Sequence, residues 1–167
     1  MPVPRDTQRT LVYDAENLVH RLLDRSAQFP VVEIAGSRLT LPVERRFATL
    51  ESVQHYLLQV LALPTVRARW PRAAVAVVVR ERNGRGAAHY ERAGAMIAVP
   101  GATRGSQWAL REFVLLHELA HHLADGAEPS HGSAFTARLI ELVEAVIGPE
   151  AGFLLRVSFG ENGVRVG

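Results

Sequence analysis

Apolar residues recur along this chain in two rhythms, one helical and one alternating, and together they lay out its elements. Over residues 7–25, Leu11, Ala15, Leu18 and Leu22 fall at helical spacing, with Val12, Val19 and Leu23 beside them. Residues 31–34 and 39–43 flank Ala35-Gly36-Ser37, which predicts a β-hairpin. A second amphipathic helix is predicted over 49–63, with Leu50, Val53, Leu57, Val60 and Leu61 on one side and Pro64 ending it. Residues 73–82 are strongly β-prone, and the run 73–79 reads as a buried strand. After a turn at Asn83-Gly84-Arg85-Gly86, strands are predicted over 87–91 and 95–99. Ser106 suits the N-cap of a helix over 107–125 that Gly126 stops. A further helix covers 133–147, and 150–159 is read as another, although Phe153-Leu154-Leu155 suits a strand equally. Strands mixed with helices, without strict βαβ alternation, predict an α+β fold in a single domain spanning 1–167.

Composition narrows the chemistry. Of 167 residues, 48% are apolar, enough for a sizeable core. No apolar run approaches the ~20 residues that a membrane-spanning helix needs. The amino terminus is polar and lacks the apolar stretch of a secretory signal, so the expected location is the cytoplasm. Cysteine is absent, which removes disulfides, thiolate nucleophiles and cysteine zinc ribbons. Histidine and carboxylate remain as metal ligands. All 19 basic residues are arginine, and the pI of 9.6 overstates a formal charge of only +2. With neither Lys nor Cys, little titrates between histidine and tyrosine. Two arginine clusters, Arg67, Arg69 and Arg72 around Trp70, and Arg80, Arg82 and Arg85 around the turn, offer only weak grounds for nucleic-acid binding.

The stretch that carries chemistry runs from Phe113 to Phe135. His117 and His121 stand four apart, so a helix puts both imidazoles on one face, within reach of one ion at ~2.0–2.1 Å. Glu118 lies about 100° round that helix, too far aside to be an ordinary ligand but placed to reach a metal-bound water. This H-E-x-x-H pattern is that of a zinc hydrolase. Leu115, Leu116, Leu119 and Leu123 give the helix an apolar shell. A catalytic site needs a third protein ligand. His131 is preferred, because Asp125-Gly126-Ala127-Glu128-Pro129 can turn the chain back toward the ion. Glu141 or Glu144 is the alternative. His122 points away from His121 and reads as a partly exposed or supporting histidine. The metzincin pattern is absent, since Ala124 stands where it needs glycine. Asp125 and Glu128 are the nearest candidates to support a ligand histidine, and Tyr90, His89 and Arg104 are candidate oxyanion donors. Trp70 and Trp108 read as packing residues, and the glycines of 101–106 permit a lid.

His117-Glu118-Leu119-Ala120-His121-His122-Leu123, followed by His131-Gly132-Ser133-Ala134-Phe135, resembles the SprT-like zincin metalloproteases. The strong match covers about 95–142, and the whole chain is also similar to small metallohydrolases of actinobacteria. The resemblance implies zinc on His117, His121 and His131, with Glu118 as catalytic acid and base. It also implies a small mixed or antiparallel sheet packed on the active-site helix, with an edge strand that holds a peptide or protein substrate by β-augmentation. Residues 95–99 are the expected edge strand. Several SprT-like proteins carry a cysteine zinc ribbon, which this chain lacks, so a role in DNA–protein crosslink repair does not carry over. The expected function is therefore a zinc-dependent hydrolase, a metallopeptidase. The alternative is a zincin-fold binding module with little turnover that recognises a peptide or nucleic acid.

Overall fold

Most of these rhythms become elements near their expected places in the computed structural model, which describes residues 2, 4–83, 86–100 and 110–167. Among the described residues there are six α-helices and two small sheets, an α+β composition. No described helix is long and apolar enough to cross a membrane. By their internal contacts the residues form two compact units, Met1–Glu44 with Gly126–Gly167, and Arg45–Asp125.

The first unit contains helix α1 (Arg9–Asp24), the hairpin β1 (Val31–Ile34) and β2 (Ser37–Thr40), and helices α5 (Ser133–Val146) and α6 (Pro149–Glu161). Helix α6 packs on both α1 and α5, and the Ser158 hydroxyl donates to the Ala15 carbonyl at 2.7 Å. The inward stripe of α1 is Val12, Ala15, Val19 and Leu23, so Leu11 and Leu18 are left 39% and 37% exposed. The helix is thus rolled from the face that Leu11 and Leu18 suggest. Leu18 and Leu22 instead line an open groove of about 870 Å³ with Ile34 and Leu154. The hairpin turns on two residues, since Ile34 pairs with Ser37. Both central residues have positive φ, 49° at Ala35 and 78° at Gly36. That geometry matches the right-handed twist of the strands and moves Ser37 from turn to strand.

The second unit contains α2 (Leu50–Ala62), α3 (Pro64–Arg69), a 3₁₀ turn (Pro71–Ala74), strands β3 (Val78–Arg82), β4 (His89–Glu91) and β5 (Met96–Pro100), and α4 (Glu112–His122). Thr49 caps α2 in a reciprocal box with Ser52. Pro64 does not simply end this helix. Its missing N–H suits the first position of α3. The expected strand over 73–82 begins only at Val78, because Pro71 opens a helical turn closed by Ala73 N–H on the Trp70 carbonyl. Strand order is β3-β5-β4, with β5 parallel to β3 and antiparallel to β4. Residues 95–99 are therefore not an edge. Strand β5 is paired on both sides, and Ile97, Ala98 and Val99 are fully buried. The Gln54 side chain donates to the Val77 carbonyl and accepts from Val79 N–H at 2.8 and 2.7 Å, occupying the outer edge of β3 as a surrogate strand would.

Helix α4 is shorter than 107–125. The expected N-cap Ser106, the candidate lid, Trp108 and Arg104 all lie outside the described residues. At its start, Phe47 N–H bonds the Leu110 carbonyl and Glu112 N–H bonds the Arg45 carbonyl, at 3.1 and 3.0 Å. This pairing holds Arg111 extended, so helical dihedrals begin at Glu112. At its end, Arg72 Nε takes the His122 carbonyl at 2.8 Å and Arg92 takes the Ala124 carbonyl at 2.9 Å. Arginine side chains thus replace the amides that would continue the helix, and it stops before Gly126.

Ala35 pays the strain of a left-handed residue that asparagine or glycine tolerates better. Ala35→Asn should raise the unfolding free energy by about 0.5–1 kcal/mol in urea titrations; an unchanged or lower midpoint would show that the turn stores no such strain.

Candidate metal centre

Helix α4 is apolar almost all round. Phe113, Leu115, Leu116, Leu119 and Ala120 are inaccessible to solvent, and the polar residues among them are buried too. Glu112 has no exposure. Its carboxylate accepts from the Tyr56 hydroxyl, from Arg45 N–H at 3.1 Å and from the Arg45 guanidinium at 3.0 Å. At the helix N-terminus this charge also meets the favourable end of the dipole.

One turn on, His117 is 3% exposed and His121 half-buried. Their Nε2 atoms lie 3.3 Å apart, with the rings at 69°. Two lone pairs this close repel unless a proton or a cation sits between them. Two ligands at about 2.05 Å from a tetrahedral metal are themselves roughly 3.3–3.4 Å apart, so this spacing suits a pair of metal ligands. Glu118, next to His117, is 3% exposed.

His131 directly precedes Gly132, the N-cap of α5. Gly132 N–H bonds the Pro129 carbonyl at 3.0 Å, and a Cβ on Gly132 would come within 3.1 Å of Pro129 Cβ, so glycine suits this tight turn. The His131 ring is 5.3 Å from that of Tyr13 and 5.1 Å from that of Phe135. Its Nδ1 is 2.7 Å from Asp6 Oδ2. An ionised carboxylate only accepts, so Nδ1 carries a proton, and in the neutral ring the lone pair is on Nε2.

His117, His121 and His131 each offer one ring nitrogen, and these three atoms lie within 4.8 Å of one another. No carboxylate joins this set among the described residues. Glu144 is exposed, and its side chain lies where a Cβ on Gly152 of α6 would fall. Three imidazole donors are a set that could hold a borderline-soft divalent ion.

His122, neighbour of His121, has a different role. It is fully buried, not partly exposed. Nε2–H donates to the Val75 carbonyl at 2.8 Å, so Nδ1 accepts from the Tyr90 hydroxyl at 2.9 Å. Arg72 donates in turn to the Tyr90 oxygen at 3.1 Å. Burial pushes the His122 imidazole below its ordinary pKa, opposed by the Val75 acceptor and aided by the charges of Arg72 and Arg92. The ring is a neutral brace between α4, β4 and the segment before β3.

The other candidates are mostly spent on local structure. Tyr90 has its only O–H on His122, leaving none for an oxyanion. His89 Nε2 sits 2.8 Å from Glu91, whose carboxylate is held below its usual range first by that contact and then by Arg80. Glu128 pairs with Arg138, and Asp125 is exposed. The carboxylate that supports a candidate ligand is Asp6, 125 residues from His131 in the chain, and no spacing rule could have found it. In the first arginine cluster, Arg67 donates to the Leu61 carbonyl, Arg72 braces α4, and Arg69 lies 5.7 Å from the ring of buried Trp70.

No family model, no curated protein and no solved structure matches the chain. The reading of its function therefore rests on its own residues.

Tyr90→Phe should remove the bond to His122 and strand a buried lone pair, costing about 1–3 kcal/mol of unfolding free energy. Its zinc content should stay that of the unmutated protein. Loss of metal with stability intact would instead move Tyr90 into the metal centre.

Proposed function

We propose that this chain is a zinc-dependent hydrolase of amide bonds, a metallopeptidase of zincin type, with His117, His121 and His131 as the zinc ligands. The observation that carries the reading is the set of three imidazole nitrogens within 4.8 Å of one another, two of them on a helix whose sequence is H-E-x-x-H. Zinc held by these three residues would supply Lewis acidity and make a nearby water easier to deprotonate. The remaining roles belong to the chain. Glu118 takes a proton from the attacking water and returns it to the leaving nitrogen, so the amide C–N bond breaks as a C–O bond forms.

Substrate placement follows from the sheet. Strand β4 is the antiparallel edge and packs against α4, whereas the start of the opposite edge on β3 is paired with Gln54. An extended peptide adds to β4 through main-chain hydrogen bonds, making sequence preference weak. The SprT-like resemblance supports the same substrate class.

The reading is tested by loading purified protein with zinc and following cleavage of a fluorescently labelled unfolded protein. Glu118→Gln should keep stoichiometric zinc by mass spectrometry and lose at least about 10²-fold in rate. A zinc-loaded chain whose Glu118→Gln form behaves like the unmutated one would be a binding module; a chain that takes up no zinc would be neither.

A further inference from the structure

A metal-binding imidazole is only as good a ligand as the group behind it. The second ring nitrogen normally donates to a carboxylate or carbonyl, which fixes the tautomer, aims the lone pair and raises its basicity. In this chain that group comes from the segment before α1.

Asp6 and Gln8 grip residue 131 at two points. Asp6 Oδ2 takes the ring at Nδ1, 2.7 Å away, while Asp6 Oδ1 accepts the Gln8 N–H at 3.4 Å. The Gln8 side chain is 3% exposed and donates to the His131 carbonyl at 3.0 Å. The same amide donates to the Arg165 carbonyl at 3.2 Å and accepts from Arg165 N–H at 2.6 Å. Thr136 adds a bond to that carbonyl at 2.8 Å, and Gly167 N–H bonds Ser133 at 3.0 Å. Ring and backbone of residue 131 are thus both held, and Tyr13 and Phe135 limit rotation of the imidazole from two sides.

We infer that Asp6 is the positioning residue of the metal centre: it acts through His131, holding Nδ1 protonated so that Nε2 faces the ion. This rests on the zinc reading above. A carboxylate on the ring also shares the charge that the imidazole donates to the metal, so its removal lowers affinity even where the ring keeps its place. The alternative is an ordinary ion pair that stabilises the fold and is indifferent to metal.

Linkage separates the two. A purely structural contact stabilises metal-free and zinc-bound protein equally and leaves the zinc Kd unchanged, whereas a positioning contact changes the Kd itself. Zinc alone is the probe, titrated against a chromophoric chelator, with thermal unfolding of the metal-free forms in parallel. Asp6→Ala should weaken zinc binding by about 10–100-fold. Asp6→Asn keeps an acceptor for Nδ1 and should lose less, which also guards against an alanine form that fails to fold. In a His131→Ala background, adding Asp6→Ala should change the Kd by no more than about twofold, because the residue through which it acts is gone. An Asp6→Ala protein with lower metal-free stability and unaltered Kd would overturn the inference. So would equal weakening in both backgrounds. If the unmutated chain binds no zinc, the metal reading itself fails and takes this one with it; if it binds zinc and only the Asp6 variants behave as the unmutated chain does, the metal reading stands and this one falls.

Discussion

A helix buried on almost every side leaves most of its polar side chains no water to fall back on, and helix α4 is in that position. A buried polar group without a partner costs about 1–3 kcal/mol, and an isolated buried charge considerably more. The surroundings of α4 answer that demand group by group. Glu112 receives Tyr56 and Arg45, and His122 receives Tyr90 and the Val75 carbonyl. His117 and His121 face each other with their Nε2 atoms 3.3 Å apart, a separation that two ligands of one ion also have. The chemistry proposed for the protein follows from that pair together with His131.

Two adjacent histidines show how finely helical geometry divides labour. His121 and His122 differ by about 100° of rotation. The first is half-buried with its ring toward His117, and the second is sealed and neutral in a hydrogen-bonded brace. Composition contributes to this brace. A chain whose basic residues are all arginine has planar, multidentate donors where lysine would offer a point charge. Arg72, Arg92 and Arg67 use them on carbonyls at helix ends. Arginines that looked in sequence like a nucleic-acid patch are in good part the stops and braces of helices.

The sheet shows a comparable economy. Three strands have two edges, and unpaired edges invite unwanted pairing. Gln54 from α2 pairs the start of one of them, at Val77 and Val79, while β4 forms the other beside α4. Placing the open strand at 95–99 failed for a definite reason. The most apolar strand in a small sheet is the one buried on both sides, and such a strand is central. Apolar content marked β5 as a strand correctly, and the edge position expected from the resemblance is the part that failed.

What the sequence determined by itself was local. Helical spacing placed α1 and α2, and α5 was expected within a few residues of its place, with Thr49, Pro64 and Gly148-Pro149 as punctuation, because caps and periodicity act over one or two turns; the residues of α6 suited a strand equally until the structure made them a helix. The four-residue step between His117 and His121 was legible on the same ground. Tertiary structure decided the rest: the face that α1 buries, the length of α4, the order of the strands, and the partners of each buried imidazole. Asp6 and His131 are 125 residues apart, Arg72 and His122 fifty, and Gln54 and Val79 twenty-five. Such contacts leave no periodic trace, since each depends on where the chain returns in space and not on what stands one turn away.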